Sequence, residues 1–289
     1  MNPQLRRGVS RRWHPTELVT LFPNRIPFMQ NTSSQLRRRL TLAVAGTLLL
    51  TSAIHAQDAA AVIAAAERDR AALDPTSALG RYDAALATSP ASYELLWRAS
   101  RESEDLGEAA ADAAKRTEYF RRAERYARHA VTAKSDGADG HFMLAVVLGR
   151  TAQFLGARER VRQAAEIRNE AVTALTLNPT HSGAMHVLGV WNAEIMRLNS
   201  FTRFAARNLM GGRVFDQASW AEATRYMEQA VATDPRRIAH RLDLAKIYAE
   251  TRQHPKAIAT CSEAVRLPLF EFNDARYRRE CEQLIVSLR

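Results

Sequence analysis

Ala230-Val231-Ala232-Thr233-Asp234-Pro235 and Ala264-Val265-Arg266-Leu267-Pro268 end alike, with a small residue, an aliphatic one and then a proline within five positions. The ending recurs as Ala85-Leu86 before Pro90 and as Ala174-Leu175 before Pro179. Ala130-Val131 fits the same frame with Ser135 in the proline's place. Proline stops a helix because it has no N–H to donate and its ring clashes with the preceding turn. A small residue one turn earlier lets that helix approach a neighbour closely. Such endings, repeated every few tens of residues, are the mark of stacked helical hairpins. The fold class that follows is all-α, a helical-hairpin solenoid.

From alanine to alanine the steps are 45, 44, 56 and 34 residues. Three residues after each proline position a new hairpin is expected to start, at Tyr93, Ala138, Ser182 and Ile238. The first helices therefore hold their frame, and the excess falls between the helices of a hairpin or in a lengthened second helix. The last unit carries Leu244-Ala245, Tyr248, Ala257 and Ala264 in a large–small, aromatic, small, small order. Leu144-Ala145 with Leu148, and Leu188-Gly189, repeat the large–small pair earlier. With the 34-residue final step, this resembles the tetratricopeptide pattern, whose period is about 34. The expected architecture is a tetratricopeptide-like solenoid with long inserted or extended helices.

Within that frame the entry hairpin is expected at 58–73 and 76–88, with Thr76 as N-cap. Helices 93–106 and 108–134 follow, with Gly107 marking the turn, and then 141–155 and 157–177, broken at Gly156. Next come 182–198, a short inserted helix at 201–209, a Met210-Gly211-Gly212 loop and 219–233. Helices 238–250 and 255–267 complete the repeats, and a charged helix near 274–288 caps the last apolar face.

A second resemblance covers Tyr93 to Leu288. Leu95-Leu96-Trp97-Arg98, Leu177-Asn178-Pro179 and His186-Val187-Leu188-Gly189-Val190-Trp191 are similar to the regulator of microtubule dynamics family. So are Phe201-Thr202-Arg203, Ala205 and the insert before Ala218-Ser219-Trp220-Ala221-Glu222-Ala223. The chain departs from the family at Phe201, where a second tryptophan is usual, and at Met210-Gly211-Gly212, where a proline-rich turn is usual. The resemblance implies a helical-repeat fold and a microtubule-associated, cytoplasmic role; no catalytic or binding residue is carried over from it.

The net charge is +10, which invites a nucleic-acid reading, but its distribution argues against one. Residues 1–56 hold eight arginines and a single acid, Glu17, leaving 33 basic and 30 acidic side chains in 57–289. The body is nearly balanced, its arginines interleaved with acids as in 118–128, the pattern of a solvated helix face. Arg37-Arg38-Arg39 precede an apolar run, Leu40 to Leu50, followed by Thr51-Ser52-Ala53-Ile54-His55-Ala56 with a small residue at the exit. That order reads as a secretory signal peptide over 29–56, too short for a membrane span of about 20 residues. Export to the periplasm or the exterior is expected, with no stable membrane span after cleavage. Residues 1–28, with four prolines and scattered arginines, are a disordered leader or lie upstream of a true start at Met29. Residues 57–289 form the solenoid domain. In an exported chain Cys261 and Cys281 could form a disulfide; two small buried hydrophobes is the other reading.

Phosphate-loop, dinucleotide, HExxH and GxSxG signatures are absent from the sequence, so neither catalysis nor a cofactor is expected. His181 and His186 fall about 140° apart on a helix, a poor metal spacing. Trp97, Trp191 and Trp220 read as core or ridge residues. Glu102, Glu104 and Asp105 read as exposed. Stacked hairpins curve with their first helices inward. The side chains expected to face a concave groove are Glu94, Trp97, Arg101, Phe142, Val146, Arg150, His186, Val190, Glu194, Leu242, Lys246 and Glu250. Of these, Trp97, Arg101, Phe142, Arg150, His186, Glu194, Lys246 and Glu250 are the candidate partner-binding residues. The mixture of aromatic groups and both charge signs suits a peptide or protein partner. The signal segment generates the first prediction: N-terminal sequencing of the native protein should find Gln57, or a residue a few positions away, at the start, and an intact Met1 or Met29 would exclude export by this signal.

Overall fold

A computed structural model describes residues 58–209 and 213–289. The leader, the signal segment and the Met210-Gly211-Gly212 loop lie outside the described residues. Helix α1 spans 58–71 and α2 Pro75–Leu86; together they form the entry hairpin. Three hairpins follow: α3 (Tyr93–Ala109) with α4 (Ala113–Ala133), α5 (Ala138–Thr151) with α6 (Ala157–Leu177), and α7 (Ser182–Arg197) with α9 (Trp220–Thr233). Between α7 and α9 are inserted α8 (Ser200–Leu209) and a 3-10 turn, Arg213–Gln217. The final hairpin is α10 (Ile238–Glu250) with α11 (His254–Arg266), and α12 (Asp274–Ser287) packs on both. All secondary structure among the described residues is helical. No helix of the described residues is long and apolar enough to cross a membrane.

The excess length is now located. The last hairpin uses two helices of 13 residues, whereas α4 and α6 each have 21. The longest step instead holds α8 and the 3-10 turn between helices of 16 and 14 residues. The insert is docked: Phe215 is buried edge-on against Trp191, centroids 6.3 Å apart, and Asn192 Oδ1 accepts from the Ser219 N–H at 3.1 Å.

The small residues sit where helices touch. Ala130, Ala174, Ala230 and Ala264, the alanines of four recurrent endings, are 0% exposed, and so are Ala123, Ala127, Ala171, Ala223, Ala245 and Ala257. Ala85, in the entry hairpin, is only half-buried. The large partners Leu144, Leu148, Leu188, Leu244 and Tyr248 fill the spaces between successive hairpins. Gly189 is required by closeness, since a Cβ there would stand 2.5 Å from Met227 Cγ.

Two local expectations are corrected. Gly107 lies inside α3 rather than at its turn, which falls at 110–112. A Cβ at Gly107 would stand 2.6 Å from the Phe120 ring, so the glycine serves the α3–α4 crossing. The N-cap of α2 is Asp74, whose carboxylate accepts from the Ser77 N–H at 3.0 Å, and Thr76 lies inside the helix.

First helices pack directly on one another, α3 on α5, α5 on α7 and α7 on α10, while each second helix is wedged between its own partner and the next first helix. Thus α3, α5, α7 and α10 form the inner layer. Ala245→Leu and Ala264→Leu should each overpack a helix contact and lower stability by about 1–3 kcal/mol; unchanged thermal midpoints for both would place these alanines away from close contacts.

Candidate functional site

Every candidate partner-binding residue lies on a first helix, and each is engaged with neighbours in the chain. On α3, Trp97 is half-buried; its Nε1–H donates to Glu94 Oε2 at 3.2 Å. The Arg98 guanidinium lies 4.0 Å over its ring and that of Arg101 5.3 Å, an arrangement that adds cation–π attraction. Arg101 also pairs with Glu67 of α1 at 2.7 Å and with Glu102. On α5, Phe142 meets the His181 ring, centroids 4.6 Å apart.

Farther along, His186 Nε2 and Asp243 Oδ2 are 2.8 Å apart, and Lys246 Nζ reaches Asp243 at 3.4 Å and Glu280 of α12 at 3.0 Å. Burial works to raise the Asp243 pKa, but the hydrogen bond and charge of His186, together with Lys246, hold it well below the usual carboxylate range. The His240 ring stacks 4.8 Å from His186, and its own pKa is pushed well down, by burial first and then by the charges of His186 and Arg237. Glu194 and Glu250 meet through Arg197, whose Nη1 donates to Glu194 at 2.5 Å and whose Nε donates to Glu250 at 2.9 Å. The structure thus brings Trp97 with Arg101, His186 with Lys246, and Glu194 with Glu250 into three clusters. Leu242, expected on the groove, is 2% exposed and belongs to the C-terminal core.

Arg150 belongs to a different environment, which the sequence reading misplaced. Glu102, Glu104 and Asp105 are not on an exposed surface: they are 0%, 8% and 9% exposed. Arg70 of α1 holds Glu102 at 2.9 Å and Asp105 at 2.7 Å with one nitrogen and Glu271 with the other. Arg237 grips the second oxygen of Glu271 at 3.2 Å. Arg150 reaches Glu104 at 2.7 Å and Glu108 at 2.9 Å. From α12, Arg276 pairs with Glu108 at 2.7 Å, and the Tyr277 hydroxyl donates to the same carboxylate at 2.5 Å. Asn273 Nδ2 donates to the Asp105 carbonyl at 3.2 Å. The segment 267–273, with the first turn of α12, therefore forms a strap that ties the last hairpin to α1 and α3. Asp274 shapes it, its Oδ2 accepting from the Phe270 and Glu271 N–H groups at 2.8 and 2.7 Å.

Burial raises the pKa of Glu102. For Glu104, burial, reinforced by the Glu108 and Asp105 carboxylates and opposed by Arg150, pushes the pKa up to about 7. For Glu108 burial is outweighed by Arg150, Tyr277 and Arg276, and its pKa falls. Among the described residues no group of histidine, cysteine and carboxylate side chains is placed to hold a metal.

Comparison with known proteins identifies the family of the chain. The family model described as regulator of microtubule dynamics protein 1-3 matches residues 62–289. The chain belongs to that family. Its fold expectation, an all-α tetratricopeptide-like solenoid, also agrees with a solved neighbour, a thermophilic TPR protein of Thermus thermophilus. That structure superposes with a TM-score of 0.56 at 15% identity, covering 78% of this chain and 97% of the other. The mouse regulator of microtubule dynamics protein 1 is 24% identical over 68% of this chain and 64% of its own length. The bovine protein 3 is 24% identical over 68% of this chain but 41% of its own. The chain thus spans less than two thirds of the curated relatives it matches.

The raised Glu104 pKa generates a pH prediction. A carboxyl whose folded pKa lies above its unfolded value contributes stability below the unfolded pKa, near 4.5, that is lost as pH rises through about 7. Glu104→Gln removes this loss. From about pH 5 to about pH 8 its unfolding free energy relative to the parent should therefore shift in its favour by about 1–3 kcal/mol. A pH-independent difference in chemical denaturation would show that Glu104 is ionised throughout.

Proposed function

We propose that residues 57–289 act as a non-enzymatic protein-interaction scaffold, seating an extended or helical peptide from a protein partner on the inner layer of first helices. The observation that carries the reading is the pair of half-buried aromatics, Trp97 under Arg98 and Arg101 on α3, and Phe142 on the adjacent α5. Binding energy in peptide grooves concentrates in a few aromatic and arginine anchors, and helical-repeat inner faces supply long surfaces for them. His186, Glu194, Lys246 and Glu250 extend the face with both charge signs. The pairs of Arg197 with Glu194 and Glu250 are partly exposed and individually weak, so an incoming peptide can exchange them at small cost. Arg150 anchors the buried cluster, so its contribution to binding acts through the strap.

The domain reading belongs to the same proposal: a leader at 1–28, a signal peptide at 29–56 and an exported solenoid. Its support is the order of Arg37-Arg38-Arg39, an apolar run and a small residue, Ala56, at the exit. A second reading has family membership in its favour. The relatives are named for microtubule dynamics, which supports a cytoskeletal partner in the cytoplasm. The near balance of 33 basic and 30 acidic side chains in 57–289 favours a peptide over a strongly acidic polymer surface.

The test is a peptide selected from a display library by the wild-type chain, measured against variants. Trp97→Ala and Phe142→Ala should each weaken it by more than about 1 kcal/mol, with helix content unchanged by circular dichroism. Normal binding by both folded variants, with loss in Phe201→Ala or Phe204→Ala, would move the site to the insert, where these two side chains are 80% and 61% exposed.

A further inference from the structure

Cys261 and Cys281 are the two cysteines of the chain, and neither takes part in the surfaces described above. Cys261 lies on α11 between Ala257 and Ala264; Cys281 lies on α12, which packs against it. Both are 0% exposed. The thiol sulfurs stand 2.7 Å apart, inside van der Waals contact, so the approach to a bond of about 2.05 Å is less than an ångström. No other thiol in the chain competes for either sulfur. Two small side chains that only filled space would have no reason to aim their sulfurs at each other across the seam between α11 and α12.

We propose that Cys261 and Cys281 form an intramolecular disulfide that fastens α12, and with it the strap, to the last hairpin. The oxidant is an external disulfide, of the oxidised-glutathione or oxidised-dithiol class. One cysteine, as thiolate, attacks a sulfur of that disulfide, forming a mixed disulfide and expelling one external thiol, which takes up the proton the cysteine gave up. The second cysteine then attacks the mixed disulfide at the first cysteine's sulfur and expels the second external thiol. Two S–H bonds are broken and one S–S bond is made. The pair gives up two electrons and the external disulfide is reduced to two thiols.

The burial dictates when this happens. With α12 docked, the Cys281 pKa is raised by its hydrogen bond with Cys261 and by burial, so thiolate is scarce and no external disulfide reaches the seam. The first exchange therefore occurs while α12 is undocked, during folding, and docking delivers the second sulfur and seals the bond. A bond made this way is structural, and the export reading is not needed for it; an oxidising thiol–disulfide buffer is sufficient.

The test refolds the full-length chain from denaturant in a mixture of reduced and oxidised glutathione, then denatures and alkylates it without reduction. The expected result is a protein with no alkylated cysteine, in which tryptic peptides 257–266 and 280–289 are joined with the loss of two hydrogen masses. Material refolded instead in dithiothreitol should melt about 5–10 °C lower, and the choice of refolding buffer should leave the midpoint of Cys261→Ala/Cys281→Ala unchanged. Recovery of both cysteines alkylated, or each carrying glutathione, or linked between chains, would overturn the proposal. The alkylation map is read on the wild-type chain, so it decides the matter even where the double variant fails to fold.

Discussion

Glu102 has no contact with solvent, and a carboxylate taken out of water must be matched by a cation or give up its charge. Arg70, beside Arg101, supplies that cation, but a guanidinium has two faces of donors, and the second face of Arg70 would itself be buried unpaired. Glu271 takes it, which draws 267–273 back to a helix some two hundred residues earlier in the chain. Arg237, Arg150 and Arg276 then complete a network in which each charge is the condition for burying the next. Networks of this kind are stabilising only when complete, since removal of one partner leaves an uncompensated charge costing several kcal/mol. The position of the strap, the docking of α12 and the closure of the inner face at its first helix all follow from one desolvated carboxylate.

The small-residue contacts work at shorter range and set the spacing that the network requires. Alanine and glycine at the crossings bring helix axes close enough for dispersion contacts to accumulate. The 21-residue helices α4 and α6 do not disturb this, because their extra turns lengthen the outer layer without shifting the crossings. The insert behaves alike: α8 and the 3-10 turn leave the α7–α9 packing intact and fold back to cover Trp191 through Phe215.

What could be read from the sequence was local. The Ala-aliphatic-Pro endings depend on packing within one hairpin, so they located the helix pairs, and the inserted helix and the terminal helix fell where expected. The buried cluster was missed because its cations and its acids are separated by tens to hundreds of residues, and nothing adjacent to Glu102 announces Arg70 or Glu271. One signal was present: Leu95, Ala99, Glu102 and Leu106 share a helical phase, which places Glu102 on the inward stripe. Gly107 was misread for a different reason. Room for the Phe120 ring and freedom for a turn ask for the same residue, and only the path of α3 separates them. Trp97, Arg101, His186 and Lys246 were placed on first helices correctly, while Glu67, which Arg101 meets on α1, and Asp243, which His186 meets on α10, lie across helix pairs whose register becomes visible only after folding.

In an open array of repeats, each unit answers only to its neighbours, and the ends fray independently because nothing reaches from one to the other. The contacts of Glu271 with Arg70 and of Tyr277 with Glu108 change that logic. They make the first and last hairpins mutual neighbours, so the chain of nearest-neighbour couplings becomes a ring without a free end. Cooperativity then extends over the whole set of hairpins, and Arg70 of the N-terminal hairpin gains its Glu271 partner only after the strap at 267–273 has been synthesised.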